Sequence, residues 1–136
     1  MAQDLEGGCL CGAVRYRATA LDGDVADYCH CGQCRKASGA PVSAWIQVPP
    51  DRFTLTRGEP RAFHSSARGT RWFCGHCGGP LYMTDPDNRS VGIALGSLDA
   101  PARVRPTVHG WFGARLPWLE IADGLPRFEA DPPYDL

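Results

Sequence analysis

Cys74-Gly75-His76-Cys77-Gly78 is the stretch on which the fold turns. Two thiols three residues apart, with glycines that permit positive φ, form a knuckle whose backbone N–H groups can turn toward the sulfurs. Such a knuckle offers two ligands to a soft cation and needs two more. Two other clusters can supply them: Cys9-Leu10-Cys11, and Cys29-His30-Cys31-Gly32-Gln33-Cys34. Zn²⁺ takes four ligands of this kind in a structural site, and often three plus an open position in a reactive one. The chain has 7 cysteines, which divide as four plus three. The expectation is one closed zinc site that holds the fold and one open site where chemistry occurs.

Geometry suggests the division. Cys9 and Cys11 can complete the knuckle, closing a long loop over one ion. Cys29, Cys31 and Cys34 form a local triplet that can hold an ion alone, with a fourth position free. Spacing leaves other pairings open, for example Cys9/Cys11 with Cys31/Cys34. A disulfide framework suits a secreted chain with an even cysteine count. Here the count is odd, and Met1-Ala2-Gln3-Asp4-Leu5-Glu6 has neither the basic region nor the apolar run of a signal peptide. A redox dithiol of the Cys-x-x-Cys type needs a βαβ setting, and no long helix follows Cys31/Cys34 or Cys74/Cys77. His30 and His76 could ligate, but are expected to support the sites from outside or lie exposed. His64 and His109 are expected as ordinary structural residues.

The 136 residues suit a single domain spanning 1–136, and a composition 43% hydrophobic supports a true core beside the metal. No apolar run approaches the roughly 20 residues a membrane helix needs. A formal net charge of −1 gives no field for nucleic acid or an anionic membrane, and of 14 cationic residues only Lys36 is lysine. Neither partner is expected. Free thiols point to a reducing compartment, the cytoplasm.

The pattern is mainly β. Val14 to Ala18 alternates apolar and polar, and Val42, Ala44, Ile46 and Val48 mark one face of a second strand. Phe53 to Thr56, Trp72-Phe73, Leu81 to Thr84, Ser90 to Leu95 and Thr107 to Phe112 are further candidates. The one helix expected is short, from about Gln33 to Ser38. The tail from Ala130 through Leu136 is expected to be irregular.

With these segments in view, the chain resembles the glutathione-dependent formaldehyde-activating enzyme family, which also includes centromere protein V. The resemblance rests on Gly7-Gly8-Cys9-Leu10-Cys11-Gly12-Ala13-Val14-Arg15-Tyr16, on Cys29 through Ala40 and on Phe73 through Leu81. Gly96-Ser97-Leu98-Asp99, His109-Gly110-Trp111 and Leu116-Pro117-Trp118-Leu119 extend it, so that it covers about Gly7 to Phe128. It implies a small zinc-stabilised domain of several twisted antiparallel sheets arranged as a tent, with one short helix. It implies a structural zinc on Cys9, Cys11, Cys74 and Cys77, and a second zinc on Cys29, Cys31 and Cys34 that meets glutathione. It also implies a carbon–sulfur lyase-type reaction, with formation of S-hydroxymethylglutathione from glutathione and formaldehyde as the named activity.

The chemistry of three thiolates agrees with a thiol substrate. Three thiolates around Zn²⁺ leave a net charge of −1, a weak Lewis acid that is soft and thiophilic. Its open position favours sulfur, and a thiol there loses its proton more easily. Cys29, Cys31 and Cys34 are therefore also the expected catalytic residues. Arg35 and Lys36 either offset the anionic centre or form a solvated helix start. Trp45, Trp111 and Trp118 are expected as packing rather than as pocket walls. Two other functions compete: a zinc-stabilised binding module, for which this chain lacks a basic tail, and a thiol or metal redox sensor built on the same triplet.

Overall fold

A computed structural model describes residues 1–85, 87 and 89–134. It contains two sheets, one short helix and several single 3-10 turns. The smaller sheet joins β1 (Gln3–Gly8), β2 (Arg15–Ala20) and β5 (Phe53–Arg57) in the order β1-β2-β5. The larger joins β3 (Ala26–Cys29), β4 (Ser43–Val48), β6 (Arg61–His64), β7 (Thr70–Phe73), β8 (Pro80–Thr84), β9 (Val91–Ala94) and β10 (Val108–Gly110). Its order is β10-β3-β4-β9-β8-β7-β6. Among the described strands the pairings are antiparallel except β10 on β3, which is parallel. The helix α1 (Gly32–Ser38) follows β3 directly and stops at Gly39, whose φ of 73° and N–H bond to the Arg35 carbonyl form a left-handed cap.

Side chains alternate across a strand, and this period sorts the larger sheet into two faces. Ala26, Ile46, Val48, Tyr82, Val91 and Ile93 point into the main core, where they meet Leu5, Tyr16 and Ala18 of the smaller sheet. Tyr16, Phe53, Tyr82 and Trp72 run through it as a chain of ring contacts with centroids 4.6–5.7 Å apart. The alternate set, Asp27, Cys29, Trp45, Gln47, Arg71, Met83 and Gly92, lines a cavity on the opposite face. The face predicted for Ala44, Ile46 and Val48 is thus the core face, and the sheet's second face is left to the site.

The tail from Ala130 has no regular structure as far as Tyr134, as its composition predicts; Asp135 and Leu136 lie outside the described residues. It is nevertheless fastened down. The Trp111 N–H bonds the Ala130 carbonyl at 2.9 Å, and the Tyr134 hydroxyl donates to Asp27 Oδ2 at 2.7 Å.

A charged clamp joins the two sheets' connections. Asp24 accepts two hydrogen bonds from Arg52, at 2.7 and 2.8 Å, and one from the Leu21 N–H at 2.7 Å. Arg52 also donates to the Thr19 carbonyl at 2.9 Å. Burial pushes the Asp24 carboxyl up, but the bonds from Arg52 and Leu21 outweigh it and hold it below the usual range. A depressed carboxyl contributes stability above its unfolded value and loses it as pH falls through the folded one. Asp24→Asn is therefore expected to cost about 1.5–3 kcal/mol at pH 7, the range for hydrogen bonds to a charged group. In urea titrations the gap between wild type and variant should narrow as pH drops below about 4. A gap independent of pH would show that the charge contributes nothing.

Candidate metal centres

The first cluster is built from two turns of the same design. In each, a cysteine directly follows a strand and the chain doubles back through a left-handed glycine: Gly12 at φ 79° after Cys9, Gly78 at φ 75° after Cys74. The Cys9 N–H bonds the Val14 carbonyl at 3.1 Å, and the Cys74 N–H bonds that of Gly79 at 3.0 Å. Backbone N–H groups then face sulfur. Val14 donates to Cys9 Sγ at 3.3 Å, while His76 and Cys77 donate to Cys74 Sγ at 3.3 and 3.5 Å. These donors stabilise thiolate and orient it. The two turns face each other, so that the sulfurs of Cys9, Cys11, Cys74 and Cys77 all lie within 4.8 Å of one another. Of the pairings that spacing left open, this is the one formed.

The donor set fits zinc. Ligands at the corners of a tetrahedron with Zn–S bonds of about 2.3 Å stand about 3.8 Å apart. Cys9 and Cys11 are separated by 3.7 Å at sulfur, and so are Cys11 and Cys74. A disulfide would need about 2.05 Å. Four sulfurs also select a soft cation over calcium or magnesium.

The second cluster comes from the end of β3 and the start of α1. Cys31 caps the helix, its sulfur accepting from the Cys34 N–H at 3.3 Å. Most of a helical turn then brings the Cys34 sulfur back beside that of Cys29. All three sulfurs lie within 4.8 Å of one another. Hydrogen bonds from Cys29 and Cys31, with Arg71 beside it, drive the Cys34 thiol far below the usual range; the same contacts push Cys29 up. Three thiols this close compete for charge. A cation is what would let all three ionise.

Among the described residues no histidine or carboxylate joins this triplet as a fourth ligand. His30 points elsewhere. Its Nε2 lies 2.9 Å from His109 Nδ1, and His109 Nε2 lies 2.8 Å from Asp123 Oδ2. Asp123 also accepts from the Leu125 N–H at 3.1 Å. The carboxylate fixes the order of protons: His109 donates from Nε2, its bare Nδ1 accepts from His30, and His30 is left with a bare, buried Nδ1 that has no partner among the described residues. Burial and the neighbouring His109 depress the His30 basicity, which keeps that ring neutral. His76 and His64 are exposed, the latter bonded to Thr70 at 2.9 Å.

The triplet opens into a cavity of about 1000 Å³. Trp45 and Trp111 line it, correcting the expectation that they serve only as packing, while Trp118 is exposed. Arg35 and Lys36 line it too, Arg35 half-buried and Lys36 exposed. Three residues were missed at the sequence level. Asp27 is 2% exposed, and burial pushes its carboxyl up to about 7 against the pull of the Tyr134 hydroxyl. Arg71 places Nη2 3.6 Å from Cys34 Sγ. Tyr134 comes from the tail. Only Asp27 left a signal, since it stands two residues before Cys29 and so shares its face.

Fold and site together define a class: a small mainly β protein with one four-thiol cluster and one three-thiol cluster opening into a cavity. The profile of the family described as "Glutathione-dependent formaldehyde-activating enzyme" matches residues 4–114. The chain belongs to that family. It is similar to a Halomonas elongata protein named "Putative glutathione-dependent formaldehyde-activating enzyme", 33% identical over 127 residues, or 86% of this chain and 80% of that one. A crystal structure of a Rhodobacter sphaeroides protein shares the fold, with a TM-score of 0.60 and 24% identity over 74% of this chain and 91% of that chain.

Proposed function

We propose that this protein makes or breaks a carbon–sulfur bond on a small thiol at the Cys29/Cys31/Cys34 site, with S-hydroxymethylglutathione formation from glutathione and formaldehyde the foremost candidate reaction. One observation carries the reading: three convergent thiols, without a fourth protein ligand among the described residues, open into a cavity large enough for a tripeptide. Family membership supports glutathione as the thiol and zinc as the metal. Zinc held by the triplet would supply a soft, thiophilic cation that favours the thiolate form of a bound thiol.

The chain's own residues do the rest. Cys29, Cys31 and Cys34 fix the position of the sulfur, and Arg71 offsets the negative charge they accumulate. Trp45 and Trp111 narrow the water-filled volume around it, which strengthens each polar contact inside. In the named reaction sulfur attacks the carbonyl carbon, a C–S bond forms, and the carbonyl oxygen takes up the proton the thiol has given up. Cys9, Cys11, Cys74 and Cys77 would hold the other, structural zinc. Reduced thiols on this scale suit the cytoplasm.

Thiol binding alone does not establish catalysis, because the two named substrates combine spontaneously. The test has two arms. Zinc-edge X-ray absorption should show an added sulfur neighbour when glutathione is supplied. Exchange NMR should show faster adduct formation with wild type than with Cys31→Ser at equal concentration. Absence of the added sulfur removes the thiol reading; its presence without acceleration moves the reaction to another electrophile.

A further inference from the structure

The cavity beside the triplet is not evenly charged. Arg35 and Lys36 enter it from α1, Arg68 from the turn before β7, and Arg71 from β7 itself. Asp27 and Asp131 enter from β3 and the tail. In the sheet order β3 and β7 are four strand spacings apart, about 19 Å. On the β7 side the cavity carries Arg68 and Arg71, with Asp85 near them at the end of β8, while Arg35 and Lys36 on the helix after β3 share the other side with Asp27. The guanidinium of Arg71 spans toward the middle, where Nη2 lies 3.6 Å from Cys34 Sγ. Its Nε is buried and has no acceptor among the described residues. An unmatched buried donor on a guanidinium fork is suited to a planar, two-oxygen anion.

We propose that Arg71, with Arg68 lining the same cavity, is a specificity-determining residue that reads a carboxylate on the substrate thiol. The site would then take thiols that carry a carboxylate a few bonds from sulfur in preference to neutral ones. This rests on the preceding reading, that a thiol is held at Cys29, Cys31 and Cys34. Arg71 could otherwise serve only to offset the charge of the three thiolates, and the two roles separate cleanly. Charge offset helps every thiol equally, whereas carboxylate recognition helps only acids.

The matched probes are 3-mercaptopropionate and its methyl ester, which differ in charge but share chain length and thiol position. Their affinities are measured by calorimetric titration into zinc-loaded protein at one pH, for wild type, Arg71→Gln and Arg68→Gln. Comparing each thiol across proteins cancels differences in thiol acidity. We expect wild type to prefer the acid about tenfold or more, as one well-placed charged hydrogen-bonding pair implies. Arg71→Gln should bring that ratio close to one, the acid losing clearly more affinity than the ester, whose smaller loss reports the charge offset. Arg68→Gln, an exposed position that tolerates change, should reduce the ratio partway, and its residual preference should fade with added salt. An unchanged ratio in both variants, or equal loss for acid and ester in Arg71→Gln, overturns the assignment. Binding of neither probe overturns the thiol reading itself, a failure distinct from lost selectivity.

Discussion

Replacing Cys74 by serine is expected to yield insoluble or strongly destabilised protein. Cys74 is fully buried, and its sulfur sits where two backbone donors and the Cys11 sulfur converge. Two ligand pairs more than sixty residues apart meet there, so metal binding and folding are one event. Structural zinc contributes roughly 10–16 kcal/mol in small zinc domains, as large as the whole stability of an ordinary domain at about 5–15 kcal/mol. Even a third of that, lost with one ligand, is worth on the order of 10 °C in melting temperature. Serine would also bury a hydroxyl in the core, so packing must be separated from metal. Cys11 is exposed and outside the core cluster. If the ion holds the fold, Cys11→Ser should also lower the melting temperature and the zinc content. A Cys74→Ser protein with undiminished zinc and melting temperature, or an unaffected Cys11→Ser, would sink the assignment.

What the sequence reveals here depends on how local each signal is. Cysteine spacing is local, so the clusters and the short helix after Cys31 are legible. Strands that carry apolar residues are legible too: Ser43–Val48 lies where alternation places it, and Phe53–Arg57 and Pro80–Thr84 cover the further candidates at Phe53 to Thr56 and Leu81 to Thr84. Three strands escape. Gln3–Gly8 shows the core only Leu5 and Gly7, between acidic residues and a second glycine. Ala26–Cys29 is covered on both faces, by the core and by the cavity wall, so its pattern does not alternate. Arg61–His64 is an edge strand exposed at every position, with no apolar face to read. Such strands are recruited by their neighbours' unpaired backbone, which leaves no trace in side-chain pattern.

The site is legible in the same uneven way. The seven thiols are plain, yet the groups that give the second centre its surroundings are distant in sequence. Arg71 reaches Cys34 across 37 residues, Asp123 orders His30 through His109, and Tyr134 closes on Asp27 across 107. Two of these come from the segment after residue 114, beyond the family profile. The parallel register of β10 on β3 brings that segment against the triplet, with His109 opposite Tyr28 and Gly110 opposite Cys29. Spacing arguments see ligands; only the sheet order shows what faces them.

The second large effect is expected at Cys31, and it should be one of function without collapse. Cys31 is half-buried and caps α1 with its sulfur. Serine is among the best helix caps, and its hydroxyl can accept the same bond from the Cys34 N–H. Cys31→Ser thus removes a soft ligand while leaving the local backbone satisfied, and the main core cluster does not include this position. A site with three protein ligands and an open position holds its ion less tightly than a four-ligand site, and losing one of three leaves too few. The variant should fold, melt within a few degrees of wild type, and carry about one zinc fewer. In wild type a mild chelator should strip that same ion first, with circular dichroism unchanged until the second begins to leave. Because the cap is preserved, any loss of glutathione binding in the variant reports the missing ligand and not a disordered helix. If the chelator instead removes both ions together with the fold, the two clusters act as one structural unit, and the triplet has no separate chemistry to perform.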